Sequence, residues 1–190
     1  LYSSAASDVY KRQEHVEVRQ GSGLKVLNPG EADCISIAGM GASTIISILE
    51  DDMEVAQSAE LLVLQPMAGA ASLRAWLCSH GWQLAAEELV DDAPHFYEII
   101  AAKRGSAPAY STAECVVGPL LLAQKHPLLG KQLERQLASC RQLLENMGRS
   151  ERARASEKYK EVQALKTELE VLQNGKRSDC LLYTSDAADE

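Results

Sequence analysis

The sequence predicts an α/β domain with a mainly parallel sheet, followed by two long helices that pack as an antiparallel coiled-coil hairpin. Two observations support this prediction. In residues 14–124, strand-like segments alternate with helix-like ones, an order typical of parallel sheets covered by helices. After residue 125 the pattern changes, and apolar side chains recur every three or four residues over two long stretches.

The first elements follow from apolar periodicity. Residues 15–19 alternate between polar and apolar side chains and residues 33–38 form a short apolar run, so we predict a strand in each. Isoleucine and leucine recur at helical spacing in residues 42–49, which predicts a helix directly after the second strand.

Another strand and helix follow, and then a hairpin. Residues 60–64 form a mainly apolar strand-like segment that ends at a Gln-Pro pair, while residues 69–80 place leucines and a tryptophan on one helical face. Residues 82–90 and 96–103 are predicted antiparallel strands around an Asp-Asp-Ala-Pro turn. Antiparallel strands often close a sheet that is otherwise parallel.

The two long helices are predicted from their apolar seams. The seam residues are Leu133, Leu137, Cys140, Leu144 and Met147 in the first helix and Tyr159, Val162, Leu165, Leu169 and Leu172 in the second. Gly148 interrupts the pattern, Ser150 is a suitable N-cap for the next helix, and Gly175 is placed to end it. We interpret the seam as packing between the helices rather than as a recognition surface.

Charge divides the chain in the same way. The formal net charge is −8; residues 14–124 hold 5 Lys and Arg against 15 Asp and Glu, whereas residues 125–179 hold 12 against 8. A local excess of cations is typical of a surface that contacts a phosphate backbone. Acidic residues are interspersed among them, so many of these cations are ordinary solvent-exposed surface charges. The outward basic residues are Lys131, Arg135, Arg141, Arg149, Arg152, Arg154, Lys158 and Lys160.

Both ends of the sequence resemble translated adaptor DNA. Residues 3–13 match one reading frame of a transposase-type sequencing adaptor, and residues 180–190 match a frame of its reverse complement; the alternative is a native tail at each end. We therefore predict an adaptor-derived segment over 1–13, an α/β domain over 14–124, a helical hairpin over 125–179, and a second adaptor-derived segment over 180–190. In this interpretation, residues 14–179 are a gene fragment.

Composition favours a protein of the reducing cytoplasm. The five cysteines are scattered without CxxC spacing, so neither a disulfide framework nor a metal site is predicted. No apolar run approaches the roughly 18 residues that cross a membrane, and no signal-peptide pattern is visible. We expect a cytoplasmic protein with no metal and no membrane partner, and the sequence leaves its oligomeric state open.

Three predicted strand ends carry the candidate functional residues, because ligands bind beyond the carboxyl ends of parallel strands. These ends are Gln20-Gly21-Ser22-Gly23, Ala38-Gly39-Met40-Gly41 and Gln65-Pro66. Glycine turns allow the backbone to approach a flat ligand closely, and the helix after Gly41 offers free N–H groups at its start. The Gln65 amide either reads a base edge or is satisfied by the backbone, and the sequence leaves both open.

In order, these segments resemble the bacterial family that methylates N1 of adenine 22 in tRNA. The resemblance rests on VRQGSGL, ADCISIAGMG, LVLQP, LRAWLCSHGW, EELVDD and FYEIIAA, and it covers nearly all of residues 14–179. It implies a class I, Rossmann-like methyltransferase fold, S-adenosylmethionine as the methyl donor, tRNA as the partner, and a C-terminal coiled coil that helps to grip the tRNA. His80, His95 and His126 lie outside these motifs, and we expect surface or structural roles for them.

The resemblance also assigns roles to single positions. Gln20, Gly21, Ser22 and Gly23 match the turn that holds the donor's adenine; Ala38, Gly39, Met40 and Gly41 match the motif beside the methyl group; and Gln65, Pro66 and Met67 match the substrate side. From the charge pattern we add Arg135, Arg141, Arg149, Arg152 and Arg154 as tRNA contacts, and no catalytic residue is identified. The chain departs from the family at Ser22, where an acid is usual and a hydroxyl is the weaker acceptor, and at Met67, where asparagine is usual and a hydrogen-bonding group is lost.

The family's donor-binding motif has no counterpart before residue 14. In this fold the first two strands carry the glycine-rich loop and the acids that hold the donor's methionine and ribose. With the family's strand order 3-2-1-4-5-7-6, their absence isolates the third strand, at 15–19, and leaves the edge of the fourth unpaired. We therefore expect this chain by itself to bind the donor poorly and to be inactive.

Two other functions remain open at this stage. One is a non-catalytic RNA-binding or coiled-coil interaction module, which Ser22 and Met67 favour as signs of lost catalysis. The other is a class I methyltransferase with a different substrate. For the methyltransferase, transfer would be direct from the sulfonium to the base nitrogen, driven by positioning and desolvation.

Overall fold

The computed structural model describes the backbone of residues 16–182 and the side chains of residues 16–175. The predicted adaptor-derived segment 1–13 lies outside the described residues, as do residues 183–190 of the second one. The strands are β1 (Cys34–Met40), β2 (Leu61–Pro66), β3 (Trp82–Asp92) and β4 (His95–Arg104). The helices are α1 (Ala42–Asp51), α2 (Met53–Ser58), α3 (Ala70–Ser79), α4 (Thr112–Val117), α5 (Pro119–Ala123), α6 (Leu129–Gly148), α7 (Glu151–Arg154) and α8 (Glu157–Leu182).

The four strands form one mixed sheet in the order β1-β2-β4-β3. β1 and β2 run parallel, with Ile35 opposite Leu62, and β4 pairs antiparallel with both β2 and β3. The parallel pair and the closing hairpin confirm the predicted Rossmann-like α/β class. Because β1 and β2 are parallel neighbours, their carboxyl ends meet at one edge of the sheet.

A first hydrophobic core lies between the sheet and helices α1 and α3. Alternate residues of β1 and β2 are buried, as the pleat of a half-covered strand requires. Ile45 and Leu49, about one turn apart on α1, and Leu73 and Leu77 on α3 are fully buried against them. This packing fixes where the turns after β1 and β2 stand.

The predicted strand over residues 15–19 is wrong for the part that the structure describes. Residues 16–20 have no regular structure, and the side chains of Val16 and Val18 are 59% and 90% exposed. Within residues 16–182, β1 pairs only with β2, so no strand lies next to its other edge. A strand needs a hydrogen-bonded neighbour, and an alternating pattern without one forms no ladder.

A second hydrophobic core joins the helical part to the sheet. It combines Leu89 of β3 and Leu121 of α5 with Leu133 and Leu137 of α6 and Leu169 of α8. The predicted seam residues Cys140 and Val162 are buried in this core, and Leu144, Leu165 and Leu172 pack partly buried against it. The core therefore contains side chains from both sides of the boundary predicted at 124/125.

The connection between α6 and α8 differs in part from the prediction. Ser150 caps α7, since its hydroxyl accepts from the Ala153 N–H at 3.5 Å. Gly175 does not end the last helix, because α8 continues to Leu182, so this prediction is wrong. A glycine inside a helix costs only about 1 kcal/mol relative to alanine.

Two polar contacts hold the start of the helical part against β3. The His126 Nε2–H donates to Glu88 Oε1 at 2.6 Å, because His126 Nδ1 accepts from the Leu128 N–H at 3.1 Å and therefore carries no proton. The hydrogen bond from His126 lowers the pKa of Glu88. Lys131 on α6 forms an ion pair with Asp91. His126 thus has a structural role, as predicted.

Candidate functional site

Backbone contacts tie together the turns that follow β1 and β2. The Met67 N–H donates to the Met40 carbonyl at 2.8 Å, and the Ala42 N–H donates to the Ala68 carbonyl at 2.9 Å. The structure therefore brings two of the three predicted strand-end motifs side by side. Gly41 is the N-cap of α1, so the start of that helix lies at the same edge, with its first N–H group, on Ala42, already bonded to Ala68.

Gly39 and Gln65 form the contact that shapes this edge. The Gly39 N–H donates to Gln65 Oε1 at 2.9 Å. Gly39 has φ +76° and lies at an irregularity in the ladder, where Ala38 pairs with Gln65 but Met40 pairs with Pro66. Left-handed backbone of this kind favours glycine, which explains the residue type. The side-chain carbonyl of Gln65 is thus hydrogen-bonded to the backbone, while its amide Nε2 lies 3.7 Å from Met67 Sδ.

We expect Gln65→Leu to loosen this turn. The Gly39 N–H loses its acceptor, a loss typically of about 0.5–1.5 kcal/mol. Amide hydrogen exchange at Gly39, measured by NMR, should accelerate by up to about tenfold. Gln65→Glu keeps an acceptor oxygen and is the matched control. An unchanged Gly39 exchange rate in Gln65→Leu contradicts the assignment.

The turn over residues 20–23 is packed against the chain that follows it. A Cβ on Gly21 would lie 2.2 Å from Val26 Cγ1, so only glycine fits there. The Lys25 N–H donates to the Ser22 carbonyl at 3.2 Å, and Arg19 Nη1 donates to the Val26 carbonyl at 2.9 Å. The sequence predicted that the backbone of this turn comes close to a ligand; in the structure, the group that lies close to Gly21 is the Val26 side chain.

Arg19 holds two carboxylates beside this turn. It forms ion pairs with Glu17, at 2.8 Å, and with Glu31. Hydrogen bonds from Arg19 and from the Asn28 N–H lower the pKa of Glu31 to about 2. Since this pKa is depressed, the Glu31 contact is present at neutral pH and is lost as the pH falls toward 2.

A cleft of about 420 Å³, here called the edge cleft, lies along β1. Three predicted cofactor residues line it, namely Gly23, Ala38 and Met40, whereas Gln20, Gly21, Ser22, Gly39 and Gly41 do not. Residues 34–37 of β1 line it as well, together with Leu24, Leu27, Ala32 and Ile48. Among the described residues, no charged side chain lines this cleft. It therefore suits a flat apolar group better than an ionic one.

A second cleft of about 290 Å³, here called the hairpin cleft, lies between the β2–α3 turn, strand β4 and helix α6. It brings predicted Pro66 and Met67 together with predicted Arg135. The Arg135 guanidinium carbon lies 4.7 Å from the centre of the Phe96 ring, a cation–π distance. Arg141, Arg149, Arg152 and Arg154 are exposed and do not line this cleft; Arg141 lies 3.9 Å from Glu170, and Arg149 lies 3.6 Å from Glu145.

A buried ion cluster supports the hairpin cleft, and sequence reasoning missed it. Arg74 of α3 is fully buried; its Nε lies 2.5 Å from Glu87 Oε1, and its Nη2 lies 2.9 Å from Glu98 Oε2. Its Nη1 also donates to the Cys115 carbonyl at 2.8 Å, and Glu87 Oε2 accepts from the Leu120 N–H at 2.7 Å. Arg74 thus connects α3, β3, β4 and α4. A charged residue in an apolar helix face was the available signal.

Glu98 is the member of this cluster that reaches a cleft. Its side chain is 13% exposed and lines the hairpin cleft. Phe96, two residues earlier on the same strand, lines the same cleft because alternate strand residues share a face.

Cys34 lines the edge cleft, whereas His80, Cys78 and Cys115 line neither cleft. His80 stacks on Trp76 with ring centres 4.4 Å apart, and burial raises the pKa of the Cys78 and Cys115 thiols. Within the described residues, no group of three or more His, Cys, Asp or Glu side chains is placed to hold a metal ion. In the same part of the chain, none of the helices has the length and apolar character needed to cross a membrane.

Comparison with known sequences identifies a family. The model of the TrmK family, described as tRNA (adenine(22)-N(1))-methyltransferase, matches residues 2–174. The tRNA (adenine(22)-N(1))-methyltransferase of Bacillus subtilis (strain 168) is 34% identical over 141 residues, which are 72% of this chain and 59% of that protein. The chain therefore spans less than two thirds of this relative's length.

Comparison with solved structures gives the same result. The crystal structure of the B. subtilis m1A22 tRNA methyltransferase TrmK is 30% identical with a TM-score of 0.75, and the match covers 90% of this chain and 76% of that one. Sp1610 of Streptococcus pneumoniae, solved in complex with S-adenosyl-L-methionine, is 26% identical with a TM-score of 0.73, covering 90% and 75%.

Proposed function

This chain belongs to the TrmK family of tRNA (adenine(22)-N(1))-methyltransferases, and from that membership we propose that its function is methyl transfer from S-adenosylmethionine to N1 of an adenine in tRNA. The observation that carries the proposal is the family match across residues 2–174. The match covers 59% of the B. subtilis relative, so we propose, by extension from that whole protein, the methyl-transfer activity, the S-adenosylmethionine donor and the tRNA partner of this chain. Position 22 is the target by family membership.

The edge cleft is the proposed site for the adenine end of the donor. Gly23, Leu24, Ala38 and Met40 are among its lining residues, and these small and apolar residues fit a flat purine. No described residue that lines it carries a charge for the donor's ammonium and carboxylate groups. The described residues thus fit one end of the donor, and the expectation of poor donor binding by this chain alone remains a prediction.

The proposed chemistry requires positioning more than acid–base groups. The donor, when bound, supplies an electrophilic methyl group on a charged sulfur. The chain's own contribution is to hold the turn after β1, on the proposed donor side, at a fixed separation from the turn after β2, on the proposed substrate side. The Gly39–Gln65 and Met40–Met67 contacts fix this separation. Placing reactants in one geometry accounts for a large share of catalysis in such bimolecular transfers.

The helical part is the proposed tRNA contact. Arg135, Arg141, Arg149, Arg152 and Arg154 are exposed on or beside α6 and α7, where their charges are available to phosphates. Arg149, Arg152 and Arg154 lie close together in the chain, at the connection between α6 and α8. We also propose a cytoplasmic location, which the four described, unpaired cysteines support.

A hybrid protein tests this function. Residues 14–179 of this chain are joined behind the N-terminal segment of the B. subtilis enzyme and expressed in a B. subtilis strain that lacks its own enzyme. We expect mass spectrometry of the tRNA to show N1-methyladenosine. The N-terminal segment alone is the control and should leave the tRNA unmodified.

The outcomes separate the proposed function from its rivals. A folded hybrid that leaves tRNA unmodified contradicts the proposal. If that hybrid binds tRNA nonetheless, the non-catalytic RNA-binding module is supported. Methylation at another nucleoside supports a class I methyltransferase with a different substrate.

A further inference from the structure

The hairpin cleft holds an acidic and a basic side chain. Glu98 and Arg135 line it together with Pro66, Met67 and Phe96. At about 290 Å³ it lies near the lower limit for small-molecule sites, which suits one nucleobase rather than a larger ligand. It also lies beside the turn after β2, whose other contacts lead to the end of β1.

Glu98 is held in a fixed position with one oxygen left over. Its Oε2 accepts from Arg74 Nη2 at 2.9 Å, and Arg74 is itself held by Glu87 and the Cys115 carbonyl. No other described residue makes a hydrogen bond or ion pair with Glu98. The Arg74 contact therefore orients the carboxylate and leaves Oε1 as an acceptor for a ligand that enters the cleft.

We propose that the hairpin cleft binds the target adenine nucleotide, with Glu98 as the specificity-determining residue that accepts from the exocyclic amine and Arg135 as the partner of its phosphate. The inference rests on the proposed function, since it places the base that receives the methyl group. Phe96 supplies an aromatic wall, already in contact with Arg135, against which a base can lie.

The negative charge of Glu98 also complements the positive charge that the adenine gains when N1 is methylated. The N1 lone pair forms the bond to the methyl carbon, the carbon–sulfur bond breaks, and its electron pair stays on sulfur. No proton has to leave in this step, so the methylated adenine is a cation with its charge spread over N1, C6 and the exocyclic nitrogen. A carboxylate that accepts from this nitrogen binds the transition state more strongly than the neutral base.

The test uses the 190-residue chain and two nucleotides that differ at one group. Adenosine 5′-monophosphate carries the exocyclic amine, whereas purine riboside 5′-monophosphate carries hydrogen at the same carbon and keeps the N1 lone pair. We expect the chain to bind the adenosine nucleotide about tenfold more tightly in NMR titrations, with shifts at Met67, Phe96 and Glu98. Equal affinities overturn the proposal without any variant.

Variants then assign the preference to one side chain. Glu98→Gln keeps an acceptor for Arg74 but removes the charge, and we expect the preference to fall to about twofold. Glu134→Gln, an equal charge change at an exposed position beside Arg135, should retain the preference. Arg135→Ala should weaken both nucleotides alike, because both carry the phosphate. A preference that survives in Glu98→Gln overturns the assignment.

These results are distinguishable from the test of the proposed function. A hybrid that methylates tRNA, together with a chain that shows no preference for the amine, overturns the Glu98 assignment alone. A preference for the amine that Glu98→Gln abolishes, together with a folded hybrid that leaves tRNA unmodified, supports the cleft assignment and overturns methyl transfer.

Discussion

Arg74→Ala is expected to lower the free energy of unfolding by about 3–5 kcal/mol, the usual result of removing one partner of a buried ion cluster. Arg74 and Glu87 have fully buried side chains, so the substitution leaves a carboxylate without water or a counterion. It also removes the donor to the Cys115 carbonyl, which links α3 to α4. Urea denaturation followed by tryptophan fluorescence measures the loss.

Two further variants show whether the unpaired charge is the cause. Arg141→Ala removes the same side chain from an exposed position, 3.9 Å from its acidic neighbour, and should change stability by less than about 0.5 kcal/mol. Adding Glu87→Gln to Arg74→Ala should recover part of the loss, because the lone buried charge disappears. If Arg74→Ala is as mild as Arg141→Ala, the cluster does not stabilise the fold.

Leu133→Ala is the second large effect, with an expected loss of about 2–5 kcal/mol. Leu133 is fully buried in the second core, where α6 meets β3, α5 and α8. Because Leu89 of β3 belongs to that core, we expect the helical part and the sheet to unfold together. Trp76 and Trp82 pack in the first core, so their fluorescence should report the same shifted midpoint as circular dichroism.

Leu143→Ala on the same helix is the matched control. Its side chain is 42% exposed, so little packing is lost, and we expect a change of less than about 1 kcal/mol. A midpoint that shifts by circular dichroism but not by tryptophan fluorescence would contradict the joint unfolding. That result would instead support independent units on the two sides of the predicted boundary at 124/125.

Local patterns predicted most of the elements because they need only neighbouring residues. The run that became β1, the helical spacing of Ile45 and Leu49 and the paired segments of the hairpin were each read correctly, to within a few residues. The prediction of a strand at 15–19 was wrong because a strand depends on a hydrogen-bonded neighbour, which periodicity does not show. The prediction that Gly175 ends the last helix was wrong for a related reason, since packing as well as residue type decides where a helix ends.

The candidate site divides in the same way. The α/β order, the glycine turns after the strands, the leucine seam and the family resemblance are all encoded in short segments of the sequence and can be recognised there. Packing between the elements places the side-chain carbonyl of Gln65 on the Gly39 N–H and the Arg74 guanidinium on Glu98. It also places Arg135 in the lining of the hairpin cleft and leaves the other predicted arginines outside it. The Gly39–Gln65 and Arg74–Glu98 contacts join residues 26 and 24 positions apart, and the hairpin cleft brings Arg135 to Pro66, which is further away in the sequence, so all three depend on how the elements pack rather than on any local pattern.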